Sequence, residues 1–224
     1  MSARRRRPMR FLRRVASPGL ISLASLVLLA ASAPALAHSL SALEQNLMER
    51  EPYVEIVDRE TPDFTLEDAS GRAVSLKDLR DKVVVLWFIY ASCPDVCPLH
   101  SEAIAAIQEQ VNRTAMRDLV RFVSITTDPV RDAPEILKDY GPAHGLDPAN
   151  WLFLTSGEAR PDATRELAER FGLKFTATPD GMQMHGVVTH LIDRKGRMRA
   201  RYHGLNFDQT NVILHINALT HEYH

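Results

Sequence analysis

Val83-Val84-Val85-Leu86-Trp87-Phe88-Ile89-Tyr90 is an unbroken run of apolar, β-branched and aromatic residues that leads directly to Cys93-Pro94-Asp95-Val96-Cys97-Pro98. A run without polar alternation describes a strand covered on both faces, and so a strand at the centre of a sheet. After the second cysteine, Ile104, Ile107 and Val111 recur at three and four positions with charged or amide residues between them, so residues 99 to about 112 read as an amphipathic helix. A second apolar run over residues 119–126 follows. Strand, helix and strand in that order require a right-handed crossover between parallel neighbours.

Ahead of this unit, residues 41–51 carry Leu43 and Leu47 at helical spacing, and Pro52 ends them. Two short alternating runs, Thr61 to Asp68 and Val74-Ser75-Leu76, flank Ser70-Gly71-Arg72, which describes a hairpin around a glycine turn. Beyond the core unit, Asp132-Ala133-Pro134-Glu135 opens a helix through Tyr140, where Gly141-Pro142 is expected to stop it. Residues 151–154 form a short strand and 160–171 a helix. Residues 187–193 and 198–202 form a hairpin around Arg194-Lys195-Gly196, and 207–220 a closing helix. No internal repeat is present after residue 37. The expected fold class is α/β: a central mixed β-sheet flanked by helices, the layout of thioredoxin-like folds, with an N-terminal hairpin extension and an additional segment at 128–150.

The first 37 residues hold seven arginines and no acid, followed by an uncharged run from Val15 that ends in Ala35-Leu36-Ala37. A basic end, an apolar stretch and a small-x-small site are the layout of a secretory signal peptide, cut before His38. The alternative is an uncleaved membrane anchor, since about 20 residues span a bilayer, but Ser17, Pro18, Gly19, Ser32 and Pro34 interrupt the run at its ends. Pro8 and Met9 stand where a twin-arginine pair would precede Arg10-Phe11-Leu12, which favours export of the unfolded chain and metal uptake outside. The expected organisation is a signal peptide or anchor over 1–37, a helical or extended segment over 38–59 and a folded domain over 60–224, in the periplasm. Without the seven arginines, 20 basic residues stand against 28 acidic ones. That balance, with no stripe of interleaved basic and aromatic residues, excludes nucleic acid as a partner.

The only two cysteines lie four positions apart. So close a pair restricts little unfolded-chain entropy and cannot staple a large fold, so redox or metal chemistry is its use in an exported chain. A strand running into Cys93 and a helix beginning near Cys97 put both sulfurs at a helix mouth, where unpaired N–H groups and the positive end of the dipole favour thiolate. In a helical turn, residues at i and i+4 share one face, so the sulfurs can converge on one ion or close a strained disulfide. Two soft thiolates select copper(I) or zinc over magnesium or calcium, and a closed zinc site takes four protein ligands. A third donor must come from elsewhere. His100, His185, His190 and His203 are the candidate imidazoles, and Met182 and Met184 the candidate thioethers. Spacing alone does not choose among them.

The cysteine segment resembles the Cys-Pro-x-x-Cys-Pro motif of Sco/SenC copper chaperones. The resemblance extends through Pro62-Asp-Phe-x-Leu with Asp68 and Gly71, and through Thr127-Asp128-Pro129-x-Arg131-Asp132-x-Pro134-Glu135-x-Leu137-x-x-Tyr140. It continues in Trp151-x-Phe153-Leu154-Thr155 and in the His185 segment leading to Leu191-Ile192-Asp193 and Gly196, covering about residues 60–205. In that family the two motif cysteines and one histidine bind copper, the histidine standing eight residues before an Asp that opens the last turn. His185 stands eight before Asp193 and inherits the role. The family commonly reads Asp-His-Ser there. This chain reads Met184-His185-Gly186 and lacks that acidic partner, which leaves His190, Met182 and Met184 as substitutes or helpers.

The resemblance implies a copper carrier for the dinuclear centre of cytochrome c oxidase, turning over no small molecule. Its partners would be a copper-accepting oxidase subunit or other cuproprotein, and a thioredoxin-like reductase that keeps the dithiol open. The alternative is a periplasmic thiol-disulfide oxidoreductase using Cys93 and Cys97 as a redox pair, which needs no His185. A peroxidase is disfavoured, because Leu86 and Tyr90 occupy the Pro and Thr positions of the peroxiredoxin motif. Asp128 and Asp132, at the end of the second core strand, either lie near the site or cap the next helix.

Overall fold

The computed structural model describes residues 34–177 and 183–222. Most of the expected signal peptide, and Met182, fall outside the described residues. By its contacts the chain divides into units 1–34 and 35–224. No helix among the described residues is long and apolar enough to cross a membrane.

Helix α1 (Pro34–Arg50) precedes strands β1 (Val54–Glu60), β2 (Thr65–Asp68), β3 (Ala73–Ser75) and β4 (Val83–Ile89). Then come α2 (Val96–Asn112), β5 (Val120–Thr126), α3 (Pro134–Ala143), β6 (Trp151–Thr155) and α4 (Ala163–Arg170). A hairpin of β7 (Phe175–Ala177) and β8 (Gln183–His185) leads to β9 (Val188–Ile192), β10 (Arg197–His203) and α5 (Gln209–Thr220). Eight strands form one sheet in the order β1-β10-β9-β4-β5-β6-β2-β3, while β7 and β8 pair only with each other.

All seven residues of β4 are buried. It pairs in parallel with β5, Val83 opposite Val120 through Ile89 opposite Thr126, and antiparallel with β9 on its other side. Because successive side chains point to opposite faces, Val83, Val85, Trp87 and Ile89 enter a core with Ile104 and Ile107 of α2 and Val212 and Ile216 of α5. Val84, Leu86 and Phe88 enter a second core with Leu167 of α4, Phe171 and Met198. Each such side chain, fully buried, contributes about 1.5–3 kcal/mol from removal of apolar surface from water.

Two elements depart from the expectation. Residues 54–59, expected within a helical or extended lead-in, form with Glu60 an edge strand along β10, with Val54 opposite Tyr202 and Glu60 opposite Arg197. Ion pairs between Arg201 and Glu55 at 2.9 Å and Arg197 and Asp58 at 2.7 Å support that pairing. The β2–β3 hairpin forms as expected around Gly71, but it lies at the opposite edge of the sheet, with β2 against β6. Gly141-Pro142 does not stop α3, which continues to Ala143 and ends before Gly145 at φ 79°. Gly141 is there for close packing: a Cβ on it would lie 2.2 Å from the Trp151 ring.

Helix α1 is more than a terminal appendage. Leu40 and Leu47 are buried, Glu44 meets Arg199 at 3.3 Å, and the Glu51 carboxylate accepts from Asn211 Nδ2 at 2.6 Å and from the Asp208 N–H at 3.2 Å.

The Gly141 contact gives a direct test of this packing. Alanine is the better helix former by about 1 kcal/mol, yet Gly141→Ala is expected to destabilise the protein by about 1–3 kcal/mol through overpacking. A lower midpoint in thermal or urea unfolding checks it.

Candidate metal centre

At the end of β4 the chain turns, with the Cys93 N–H donating to the Tyr90 carbonyl at 3.2 Å. Helix α2 then begins at Val96, and its N-cap Asp95 makes no side-chain cap bond. The helix-mouth N–H groups are thereby left to the sulfurs. Both cysteines are free and buried. Burial alone would raise Cys93, but hydrogen bonds from the Cys97 thiol, the Asp95 and Cys97 N–H groups and the Tyr90 hydroxyl outweigh it and hold the thiol below its ordinary range. Cys97 is pushed well above that range, first by burial and then by donating to the Cys93 sulfur. Cys93 is thus the sulfur that ionises more readily, and Cys97 the one that holds its proton.

Asp132 does not cap α3, whose N-cap is Ala133 without a side-chain bond. Instead its Oδ2 accepts from the Ala91 N–H at 3.0 Å and from the Thr126 hydroxyl, tying the cysteine turn to the end of β5. Burial raises its carboxyl, and its other oxygen has no partner. Asp128 pairs with Arg131, and both line a cleft of about 240 Å³ with Tyr90, Pro129 and Val130.

Strand β9 is antiparallel to β4, with Thr189 opposite Trp87, so it starts at the end of the sheet where β4 delivers Cys93. His185, the last residue of β8, enters at that same end. Its Nδ1 lies 3.0 Å from the Gly186 carbonyl. A carbonyl only accepts, so Nδ1 carries the proton and Nε2 keeps its lone pair. Nε2 is buried without a partner among the described residues, and burial holds the ring below the usual histidine range. This is the state of an imidazole available to a metal, oriented by a backbone carbonyl in place of the missing acid. The two cysteines are brought together, and His185 shares their end of the sheet. Among the described residues, no three His, Cys, Asp or Glu side chains converge closely enough to hold an ion.

The other candidate donors go elsewhere. His190 points to the opposite face, where Phe171 and Phe88 pack on it at 5.1 and 6.1 Å and its Nδ1 lies 3.3 Å from the Leu86 carbonyl. It is fully buried and pushed down to about 3 by that burial. His203 bonds Glu55 at 3.1 Å. Met184 lies in β8, and its side chain falls outside the described residues. His100, on the first turns of α2, is buried against Trp87 and shares a hydrogen bond with Thr189 Oγ1 at 2.8 Å.

With helices on both faces of a mixed sheet and a cysteine pair at the mouth of α2, the molecule is a thioredoxin-like α/β domain. The chain belongs to the SCO1/SenC family, whose model matches residues 56–221. It is similar to a SCO1/SenC family lipoprotein from Bacillus anthracis, with 27% identity and a TM-score of 0.65 over 74% of this chain and 97% of that one. It is also similar to the copper-bound ScoI of Bradyrhizobium japonicum, with 27% identity and a TM-score of 0.59 over 71% and 99% of the two chains. The fold is shared with BsSco, a member of the Sco family of cytochrome c oxidase assembly proteins, at 24% identity and a TM-score of 0.65 over 75% and 98%.

Two outcomes follow from the ionisation states. Cys93 is expected to be alkylated first and from a lower pH than an ordinary thiol, with the advantage reduced in Cys97→Ser, as followed by mass spectrometry after timed iodoacetamide quenching. His190 has a folded value below its unfolded one, so the unfolded state binds more protons as pH falls from about 6.5 toward 3, and stability falls by about 1.4 kcal/mol per pH unit across that window. His190→Phe is expected to make the acid side of the unfolding-midpoint profile shallower.

Proposed function

We propose that this protein is an exported copper-binding metallochaperone that receives copper in the periplasm and hands it to a cuproprotein of cytochrome c oxidase assembly. Copper is its cargo, and Cys93, Cys97 and His185 are its donors. The observation that carries the reading is the His185 Nε2, buried and without a partner among the described residues, on a ring whose Nδ1 faces a carbonyl at the end of the sheet where the two sulfurs sit. Family membership and the copper held by a relative's structure add support.

Capture begins at the Cys93 thiolate. The ion then displaces the Cys97 proton, so uptake releases a proton and strengthens as pH rises. His185 contributes a neutral imidazole from the same end of the sheet as the sulfurs. Two thiolates and an imidazole suit copper, while a closed zinc site would call for a fourth protein ligand. Delivery is ligand exchange: a partner's thiolate replaces one donor at a time, and the open dithiol is restored by an external thiol reductase. The exposed Leu99 and Val130, with the cleft beside Tyr90, offer a partner chain an apolar rim near the sulfurs.

A second reading, thiol-disulfide exchange on a partner, is favoured by the lowered Cys93 thiol alone. The two are separated by copper content and charge-transfer absorption of the loaded protein. Wild type is expected to hold about one equivalent, with Cys97→Ser and His185→Ala both losing it. Equal copper in all three overturns the site. Full biological activity in His185→Ala with intact thiols favours exchange over delivery.

A further inference from the structure

Helix α2 carries Cys97, and β9 follows directly from the segment that carries His185. A helix packed on a sheet by apolar contact alone is held by a non-directional force, which fixes burial better than it fixes sliding. Among the described residues, one side-chain hydrogen bond joins α2 to β9, that between His100 Nε2 and Thr189 Oγ1 at 2.8 Å. His100 lies three residues after Cys97, and Thr189 four after His185. The two are 1% and 0% exposed. Trp87, opposite Thr189 in the sheet register and fully buried, lies 6.2 Å from the imidazole and walls it in. A buried imidazole without a partner is costly, and this bond offsets that cost, so the two elements are held at the one separation that satisfies it.

Resting on the copper reading above, we propose that the His100–Thr189 bond is a strut that sets the spacing between the thiol pair and His185. His100 and Thr189 are then positioning residues for an ion that needs the sulfur and imidazole donors together. Copper(I) is well satisfied by two thiolates and tolerates a displaced imidazole. Copper(II), with its demand for further nitrogen or oxygen donors in a tetragonal arrangement, does not. Loss of the strut therefore falls selectively on copper(II).

The test compares wild-type full-length protein with Thr189→Val, which keeps the shape and removes the hydroxyl, and Thr189→Ser, which keeps the hydroxyl. Thr189→Val is expected to weaken copper(II) binding by about tenfold or more and to alter the nitrogen hyperfine pattern of its electron paramagnetic resonance spectrum. Copper(I) affinity, measured by chelator competition, should stay within about threefold of wild type, and Thr189→Ser should restore the wild-type spectrum. A wild-type spectrum and copper(II) affinity in Thr189→Val overturn the strut. So does an equal loss for both oxidation states that tracks a fall in thermal stability. A metal-free readout separates this from the functional reading: the His185 ring resonances of the apo protein should shift in Thr189→Val and not in Thr189→Ser. Unchanged rings in both variants overturn the strut even if wild type takes up no copper, whereas shifted rings in a protein that binds none would leave the strut standing and remove the copper reading.

Discussion

The structure depends on the burial of β4 on both faces between a parallel and an antiparallel neighbour. Its odd-numbered side chains fill one core and its even-numbered ones the other, so neither layer of helices packs without it. The same strand aims the chemistry. Parallel β5 requires a crossover, which is α2, and the start of that crossover is the cysteine turn. Antiparallel β9 must begin where β4 ends, which brings the His185 segment to the same end of the sheet.

At that end, burial and the helix mouth act against each other on the two sulfurs. For Cys93, converging hydrogen-bond donors outweigh desolvation; for the more deeply placed Cys97, desolvation and its role as donor to Cys93 win. The result is a pair of unequal thiols, one more easily ionised than an ordinary cysteine and the other harder to ionise. Asp132 ties the turn to β5 from beneath, through the Ala91 N–H and the Thr126 hydroxyl. Burial holds the rings of His100 and His185 below the usual histidine range, which favours their neutral forms.

Farther from the sulfurs, charged groups close the domain where apolar surface alone would not specify geometry. Arg199 sits among Glu44 of α1, Asp193 of the last turn and Glu222 beyond α5, and Glu51 binds the start of α5. With the Glu55–Arg201 pair at the β1 edge, these contacts bind the N-terminal segment to the strand and helix that end the chain.

The run over 83–90, the amphipathic spacing of Ile104, Ile107 and Val111, and the glycine turn at Gly71 made the central strand, its helix and the edge hairpin legible from sequence, because each is written in local periodicity or local backbone freedom. The cysteine pair was legible for the same reason: its four-residue spacing and its place at a strand–helix junction are local facts. Strand β1 was not, since its polar, irregularly buried residues become a strand only when the β10 edge supplies hydrogen bonds. Gly141 read as a stop because the approach of Trp151, ten residues on, is invisible in sequence. The packing of His190 among Phe88 and Phe171 was also closed to sequence, because it turns on which face of the sheet the side chain meets, and strand register sets that. The sequence by itself determined the elements and the soft, paired character of the donors. Tertiary structure decided which imidazole stands at the cysteine end of the sheet, which carboxylate underlies the turn, and which bond spans α2 and β9, since each depends on residues brought together from distant parts of the chain.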